Sequence, residues 1–234
     1  DNYYRNLTIA TLPFHFGVLF TIVWFVGTPN LSILAMIVMA ITAGVYSGLG
    51  INTAHELGHK KTELERFLAK IVLAVPAYGH FCIEHNRGHH KDVATPEDPA
   101  SSRMGESIYG FLFREIPGAF NRGWAVEKER LGRLNKGAWN IDNNILQSFA
   151  LSAVMQGAII YLFGWMMVPF LLIHNVWAWF QLTSANYIEH YGLLRQKEAS
   201  GRYETCKPYH SWNANHIMTN IILFHLQRHS DHHS

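Results

Sequence analysis

The chain of 234 residues has two long regions without a basic side chain. Its 19 Lys and Arg residues leave 6–59 and 137–194 empty. Acidic residues are nearly absent there too: Glu56 ends the first region, and Asp142 and Glu189 bracket the second. A mean hydropathy of +0.01 therefore averages two populations of sequence, one suited to lipid and one to water. Cysteine is scarce. Cys82 and Cys206 alone give no disulfide framework and no Cys-x-x-Cys metal knuckle. A net charge of +2 is too small to point to nucleic acid as a partner. No internal repeat, low-complexity run or secretory leader is visible. The start at Asp1 and the stop directly after "HSDHH" read as those of a fragment of a longer protein.

The charge-free regions hold four apolar segments, at about 7–27, 31–54, 145–164 and 165–185. At 1.5 Å per residue each is long enough to cross a hydrocarbon core of roughly 30 Å. Inside lipid the backbone must satisfy its own hydrogen bonds, so all four are expected to be helices. The first pair is joined by "TPN" and the second almost directly, which predicts two tight hairpins. Neither tip holds Lys or Arg, so the positive-inside rule puts every basic residue on the cytoplasmic side. A fifth apolar stretch, 67–83, is short and contains Lys70. It is expected to lie in the interface or to be re-entrant, which keeps the flanking histidines on one side. Residues 91–144 are polar, with Pro96, Pro99 and Pro117, and include "VEKERLGRLNK", a candidate surface helix. The expected fold is all-α: a polytopic transmembrane helix bundle in a single domain over 1–234, with a histidine-rich cytosolic face.

What is abundant is histidine, 15 in all. Nine fall in four boxes: His55 and His59 in "HELGH", His85, His89 and His90 in "EHNRGHH", His190 in "NYIEHYG", and His229, His232 and His233 in "QRHSDHH". The first box fits the His-Glu-x-x-His pattern of zinc peptidases, in which two histidines share a helix face and the glutamate activates water. A zinc peptidase needs three protein ligands and one open position. Nine imidazoles exceed that demand and suit two metals. Histidines at i+3 and i+4 share a helix face, while an adjacent pair diverges by about 100° and can address two centres. Imidazole accommodates iron, copper, nickel and zinc, so the ligand type does not choose among them. Each box also carries a carboxylate beside a histidine: Glu56, Glu84, Glu189 and Asp231. These four are expected to accept the second ring N–H of a ligating imidazole.

The set "HELGHK", "EHNRGHH", "NYIEHYGLLRQ" and "LQRHSDHH" resembles the bacterial integral-membrane alkane monooxygenases, relatives of the membrane fatty acyl desaturases and hydroxylases. The likeness extends through "DVATPEDPASSRMGESIYGF" and "HSWNANHIMTNIILFHLQRHSDHH", nearly the whole chain. It implies a non-haem di-iron site held by His55, His59, His85, His89, His90, His190, His229, His232 and His233. It implies hydroxylation of the terminal methyl of n-alkanes with O2. Electrons would come from rubredoxin, served by rubredoxin reductase and NADH, at the inner (cytoplasmic) membrane. Members of that family generally have six transmembrane helices, so a further pair is expected before Asp1. Other membrane di-iron oxygenases (desaturases, fatty acid hydroxylases, xylene-type monooxygenases), a membrane zinc protease and a non-enzymatic metal carrier are the competing readings.

An alkane offers no polar handle, so its slot must be apolar. Ile51 and Asn52 stand one turn before His55, and Leu226 three residues before His229; these are the expected substrate-binding positions. His15 and His174, inside crossings, are expected to be neutral and hydrogen-bonded between helices. His225, four residues before His229, is placed to brace it if both lie on one helix. Trp24, Trp165, Trp177 and Trp179 read as interfacial or packing aromatics. Arg195, Lys197, Arg202 and Lys207 form a basic patch that would steer an acidic electron carrier.

Overall fold

The computed structural model describes residues 2–28, 31–60 and 62–233. Among them there is no β-strand, and a lone antiparallel bridge joins Lys197 and Tyr203. The chain divides into two compact units, one of Asp1–Cys82 with Trp139–Gln181 and the other of Ile83–Ala138 with Leu182–Ser234.

The first unit is built on long apolar helices: α1 (Asn2–Val26), α2 (Ile33–Gly58), the 12-residue α3 (Glu63–Ala74) and α7 (Asn144–Phe163). The first part of α8 (Met167–Glu189) also belongs to it. Ser32 starts α2 by accepting the N–H of Ala35 on its hydroxyl, and Asn143 starts α7 by accepting those of Ile145 and Leu146. Leu19, Ile22, Val23 and Val26 of α1 pack with Met36, Ala40 and Ala43 of α2 and with Met167, Phe170 and Leu171 of α8. Gly44 permits the close approach of α2 to α8, because a Cβ there would lie 2.7 Å from Trp177 Cβ and 2.8 Å from the His174 carbonyl. Small residues serve transmembrane packing in this way, since close backbones gain van der Waals contact.

Among the described residues three helices are long and apolar enough to cross a membrane: Tyr3–Val26, Ile33–Gly58 and Asn144–Phe163. Much of their apolar surface has no protein against it. Phe14, Phe20, Trp24, Leu34, Tyr161 and Leu162 are all exposed, as lipid-facing side chains are. The fourth expected crossing does form one helix, α8, but it is not among the three. His174, Asn175, Gln181 and Asn186 interrupt its apolar run. The second segment is longer than expected, since α2 runs through His55 to Gly58 with His59 as its cap. Pro29 and Asn30 of the first hairpin tip lie outside the described residues.

The helix α3, which overlaps only the first part of the 67–83 stretch, spans about 18 Å at 1.5 Å per residue, short of a core of roughly 30 Å. Lys70 turns toward α7, where its ammonium donates to Asn144 Oδ1 at 2.6 Å and Gln147 Oε1 at 2.8 Å. Glu65, buried at the start of α3, is paired with Arg5 of α1.

The histidines within the helices behave differently from one another. His174 meets the Ser47 hydroxyl at 2.7 Å and Asn175 Oδ1 at 2.9 Å, an interhelical link as expected. His15 stacks on Tyr46 at 5.5 Å and packs over Gly50, and its buried Nε2 has no hydrogen-bond partner among the described residues. Trp24 and Trp165 are exposed, whereas Trp179 donates to the Pro76 carbonyl at 2.7 Å.

The second unit is arranged along α6 (Ile108–Arg133), which Ser107 caps. "VEKERLGR" forms its last turns, with "LNK" beyond its end, and the helix begins well before it and runs through Pro117. Phe111, Glu115, Ala119, Gly123, Glu127 and Leu131 make its buried stripe, spaced at four residues as a helix face requires. A short helix α4 (Phe81–Glu84) leads into a π-helical turn, His85–His89, and then α5 (His90–Asp92). Two further short helices, α9 (Ile217–Ile222) and α10 (His229–His233), carry the last histidines.

Between them the expected helical register is broken. Phe224 and His225 have φ of 53° and 66°, and the His225 N–H closes on the Asn220 carbonyl at 2.8 Å, a Schellman-type stop. His225 is therefore exposed in a turn and does not stand one helical turn below His229.

Candidate metal centre

The second unit brings four imidazoles together. The ligating nitrogens of His89, His190, His229 and His233 all lie within 4.8 Å of one another. His190 Nε2 is 3.0 Å from His229 Nε2, His233 Nε2 is 2.9 Å from His229 Nε2, and His89 Nε2 is 3.2 Å from His233 Nε2. His89, His190 and His229 are 1%, 0% and 2% exposed, so water has little access to them.

The ring contacts on the far side decide what these nitrogens present. His190 Nδ1 donates to the His210 carbonyl at 3.1 Å, which leaves Nε2 as a lone pair. His89 Nδ1 faces Asp98 Oδ2 at 2.9 Å, with the same consequence for its Nε2. His229 Nδ1 faces Glu189 Oε1 at 3.4 Å. The His190 and His89 rings are thus turned so that their Nε2 lone pairs face the other imidazoles of the group, a repulsive arrangement unless a cation sits among them. The residues fit a metal ion. Burial, with Coulomb repulsion from His89, holds the His190 imidazole down at about 3. Burial and the surrounding imidazoles also depress His233. Both are neutral and ready to ligate. His89 goes the other way: burial alone would lower it, but Asp98, by charge and hydrogen bond, together with Glu84 raises it, a field that favours positive charge at this spot.

The remaining box histidines fall in two places. In the second unit His90 Nε2 is 3.1 Å from His85 Nε2, and His232 Nε2 is 3.4 Å from His85 Nε2. In the first unit His59 Nε2 is 3.2 Å from His55 Nε2. The doublets are divided: His89 and His233 belong to the four-imidazole group, and His90 and His232 to the neighbours of His85. For "EHNRGHH" the helix period assumed from sequence was wrong. The backbone N–H of His90 bonds to the His85 carbonyl, five residues back, so the turn is π-helical and His85 pairs with His90 at i+5. Such wide turns recur at functional sites because they re-aim side chains that an α-helix would keep apart.

The four carboxylates beside the histidines are placed differently. Glu56 Oε1 is 3.4 Å from His55 Nδ1, and Glu189 meets His229. Glu84 accepts from the Arg122 guanidinium instead, and Asp231 is exposed. Asp98, the carboxylate on His89, lies in the loop "TPEDPASS", where no spacing signal marked it. Neither did any pattern mark the His210 carbonyl, which is a backbone group. Of the expected substrate positions, Ile51 and Asn52 are buried in α2, and neither amide atom of Asn52 has a hydrogen-bond partner among the described residues. Leu226 is half-buried in the turn before α10, so its helical spacing to His229 does not exist.

Long apolar helices and a buried group of imidazoles that could hold a metal ion mark this as a membrane-type protein with a candidate nitrogen-ligand metal site. The chain belongs to the fatty acid desaturase family, whose model matches residues 31–234. Over its whole length it is 57% identical to the alkane 1-monooxygenase of Ectopseudomonas oleovorans and 56% identical to alkane 1-monooxygenase 1 of Alcanivorax borkumensis. It spans 58% of each of those proteins. The xylene/toluene monooxygenase hydroxylase component of Pseudomonas putida is 24% identical over 217 residues, 93% of the chain and 52% of that protein.

Proposed function

We propose that this chain carries the catalytic region of an alkane 1-monooxygenase, which hydroxylates the terminal methyl of n-alkanes with O2 and electrons delivered by rubredoxin. The observation that carries the reading is the buried four-imidazole group, in a chain 56–57% identical to alkane 1-monooxygenases. In this reading the nine box histidines hold two iron ions, one of them at His89, His190, His229 and His233. Iron there would supply the reductive activation of O2 that an unactivated C–H bond demands.

The chain's own part is to orient and to exclude. The His210 carbonyl and Asp98 fix the tautomers of His190 and His89, so that the metal-facing nitrogens need not reorganise. Near-complete burial keeps the centre dry, which suits a substrate without polar groups. Ile51, Asn52 and Leu226 are proposed to line the slot for the alkane, which enters from the lipid bilayer.

The enzyme would sit in the inner membrane, with the active-site face cytosolic. Rubredoxin, reduced by its reductase and NADH, would dock there. Part of the basic patch offered for that docking is engaged internally: Arg195 donates to the carbonyls of Glu204 and Lys91, and Lys207 pairs with Glu204 at 3.1 Å. Arg202 is exposed, as is Lys197, whose ammonium lies 5.0 Å over the Tyr203 ring, and these two would meet an acidic carrier.

The family supports a second reading, desaturation or hydroxylation of acyl chains. Membranes bearing the full-length protein are to be incubated with octane, rubredoxin, rubredoxin reductase and NADH. O2-dependent 1-octanol is the expected product. Oxidation of acyl chains alone would favour the second reading, and no O2-dependent product would exclude both.

A further inference from the structure

Arg122, in the middle of α6, is drawn inward until its side chain is 15% exposed. Its Nη2 donates to Asp98 Oδ1 at 2.6 Å and its Nε to Glu84 Oε1 at 2.8 Å, while Nη1 lies 3.6 Å from Asp92 Oδ2. Asp98 is itself held on both oxygens. Oδ1 also accepts the Ala100 N–H at 3.1 Å, and Oδ2 accepts from Ser101 Oγ at 2.6 Å and from His89 Nδ1 at 2.9 Å. A carboxylate tied at both ends cannot swing away from the imidazole. The approach of Arg122 requires Gly88, because a Cβ at that position would stand 2.5 Å from Arg122 Nε. The π-helical turn that carries the histidines thus supplies the gap through which the guanidinium passes.

We infer that Arg122 is a positioning residue for the metal centre: by fixing Asp98 it holds His89 in its Nδ1-protonated form with Nε2 aimed at the metal. This rests on the reading of the four-imidazole group as a metal site. Arginine suits the role because its planar fork serves Glu84 and Asp98 at once, whereas a lysine ammonium is a point charge. A helix clamp with no bearing on the metal would account for the same contacts, so the test must read the metal itself.

Iron(II) is titrated anaerobically into the full chain in detergent, with iron per chain and the Mössbauer spectrum as readouts. Arg122→Gln leaves Asp98 in place but less firmly held, so it is expected to weaken iron binding by about 10-fold, the low end of the range for loss of an outer partner of a histidine ligand, and to change the quadrupole splitting. Arg122→Lys, which keeps the charge and loses the fork, is expected to fall between. If Arg122→Gln does not fold, Arg122→Lys and Ser101→Ala carry the test, each with weaker binding and a shifted spectrum expected. Unchanged affinity and spectrum in the variants that fold would overturn the inference and leave the metal reading intact. An unmodified chain that binds no iron would overturn both.

Discussion

His190 donates its Nδ1 proton to the carbonyl oxygen of His210, 20 residues further along the chain, at 3.1 Å. The carbonyl is held there by the turn Pro208–His210, in which His210 Nδ1 accepts the Lys207 N–H at 3.0 Å. One histidine of the chain thus sets the tautomer of another without approaching the metal-facing nitrogen. His190→Ala is expected to abolish iron retention at the four-imidazole group. His210→Ala loosens the turn but spares the ligand, and should weaken retention by about 10-fold or somewhat more. Iron per chain after desalting separates the two; equal losses would show that His210 does more than present its carbonyl.

Gly88 faces the Arg122 guanidinium and Glu84 Oε1, at 2.5 Å and 3.1 Å from an added Cβ. Gly88→Ala should therefore destabilise the fold by about 1–3 kcal/mol, the cost of overpacking a filled site. A thermal unfolding midpoint in detergent no lower than that of the parent would refute this.

Glu115 is fully buried and accepts from Thr183 Oγ1 at 2.8 Å and Asn186 Nδ2 at 3.1 Å, latching α6 to the last turns of α8 before His190. Burial pushes its carboxyl up to about 7 from 4.5, and the two hydrogen bonds only partly oppose this. The folded state then binds the proton more tightly than the unfolded state. Stability contributed by this group is full below the unfolded value and is lost as pH rises from 4.5 toward 7, by at most about 1.4 kcal/mol per pH unit. Glu115→Gln should flatten the stability profile across that window. A decline equally steep in the variant would assign it to other groups.

His174 is bonded to Ser47 and Asn175, and lies outside the boxes. His174→Leu should leave iron per chain unchanged while costing about 1–3 kcal/mol for the buried polar partners it strands. Iron loss in a variant that folds normally would make His174 part of the metal machinery.

The long apolar helices α1, α2, α7 and α8 and the box histidines were legible from residue order because their signals are local, whereas the first two-thirds of α6 was not. An apolar stretch free of charge declares its own helix, and histidines at short spacing mark a candidate ligand set. The π-helical turn at His85–His89 was not legible, since its hydrogen-bond register depends on what packs against it, here the Arg122 side chain over Gly88. Asp98 and Glu115 were missed for the same reason: an acid in a polar stretch looks solvated until the chain folds over it. His225 shows the converse, a residue whose spacing suggested a brace and whose left-handed backbone removed it.

Local composition thus determined that the chain forms long apolar helices and concentrates nine histidines in four short boxes. Tertiary structure alone decided that His89 and His190 present Nε2, with Asp98 facing the one ring and the His210 carbonyl the other. Tautomer and orientation are fixed by partners distant in sequence, and residue order does not encode the distance between them.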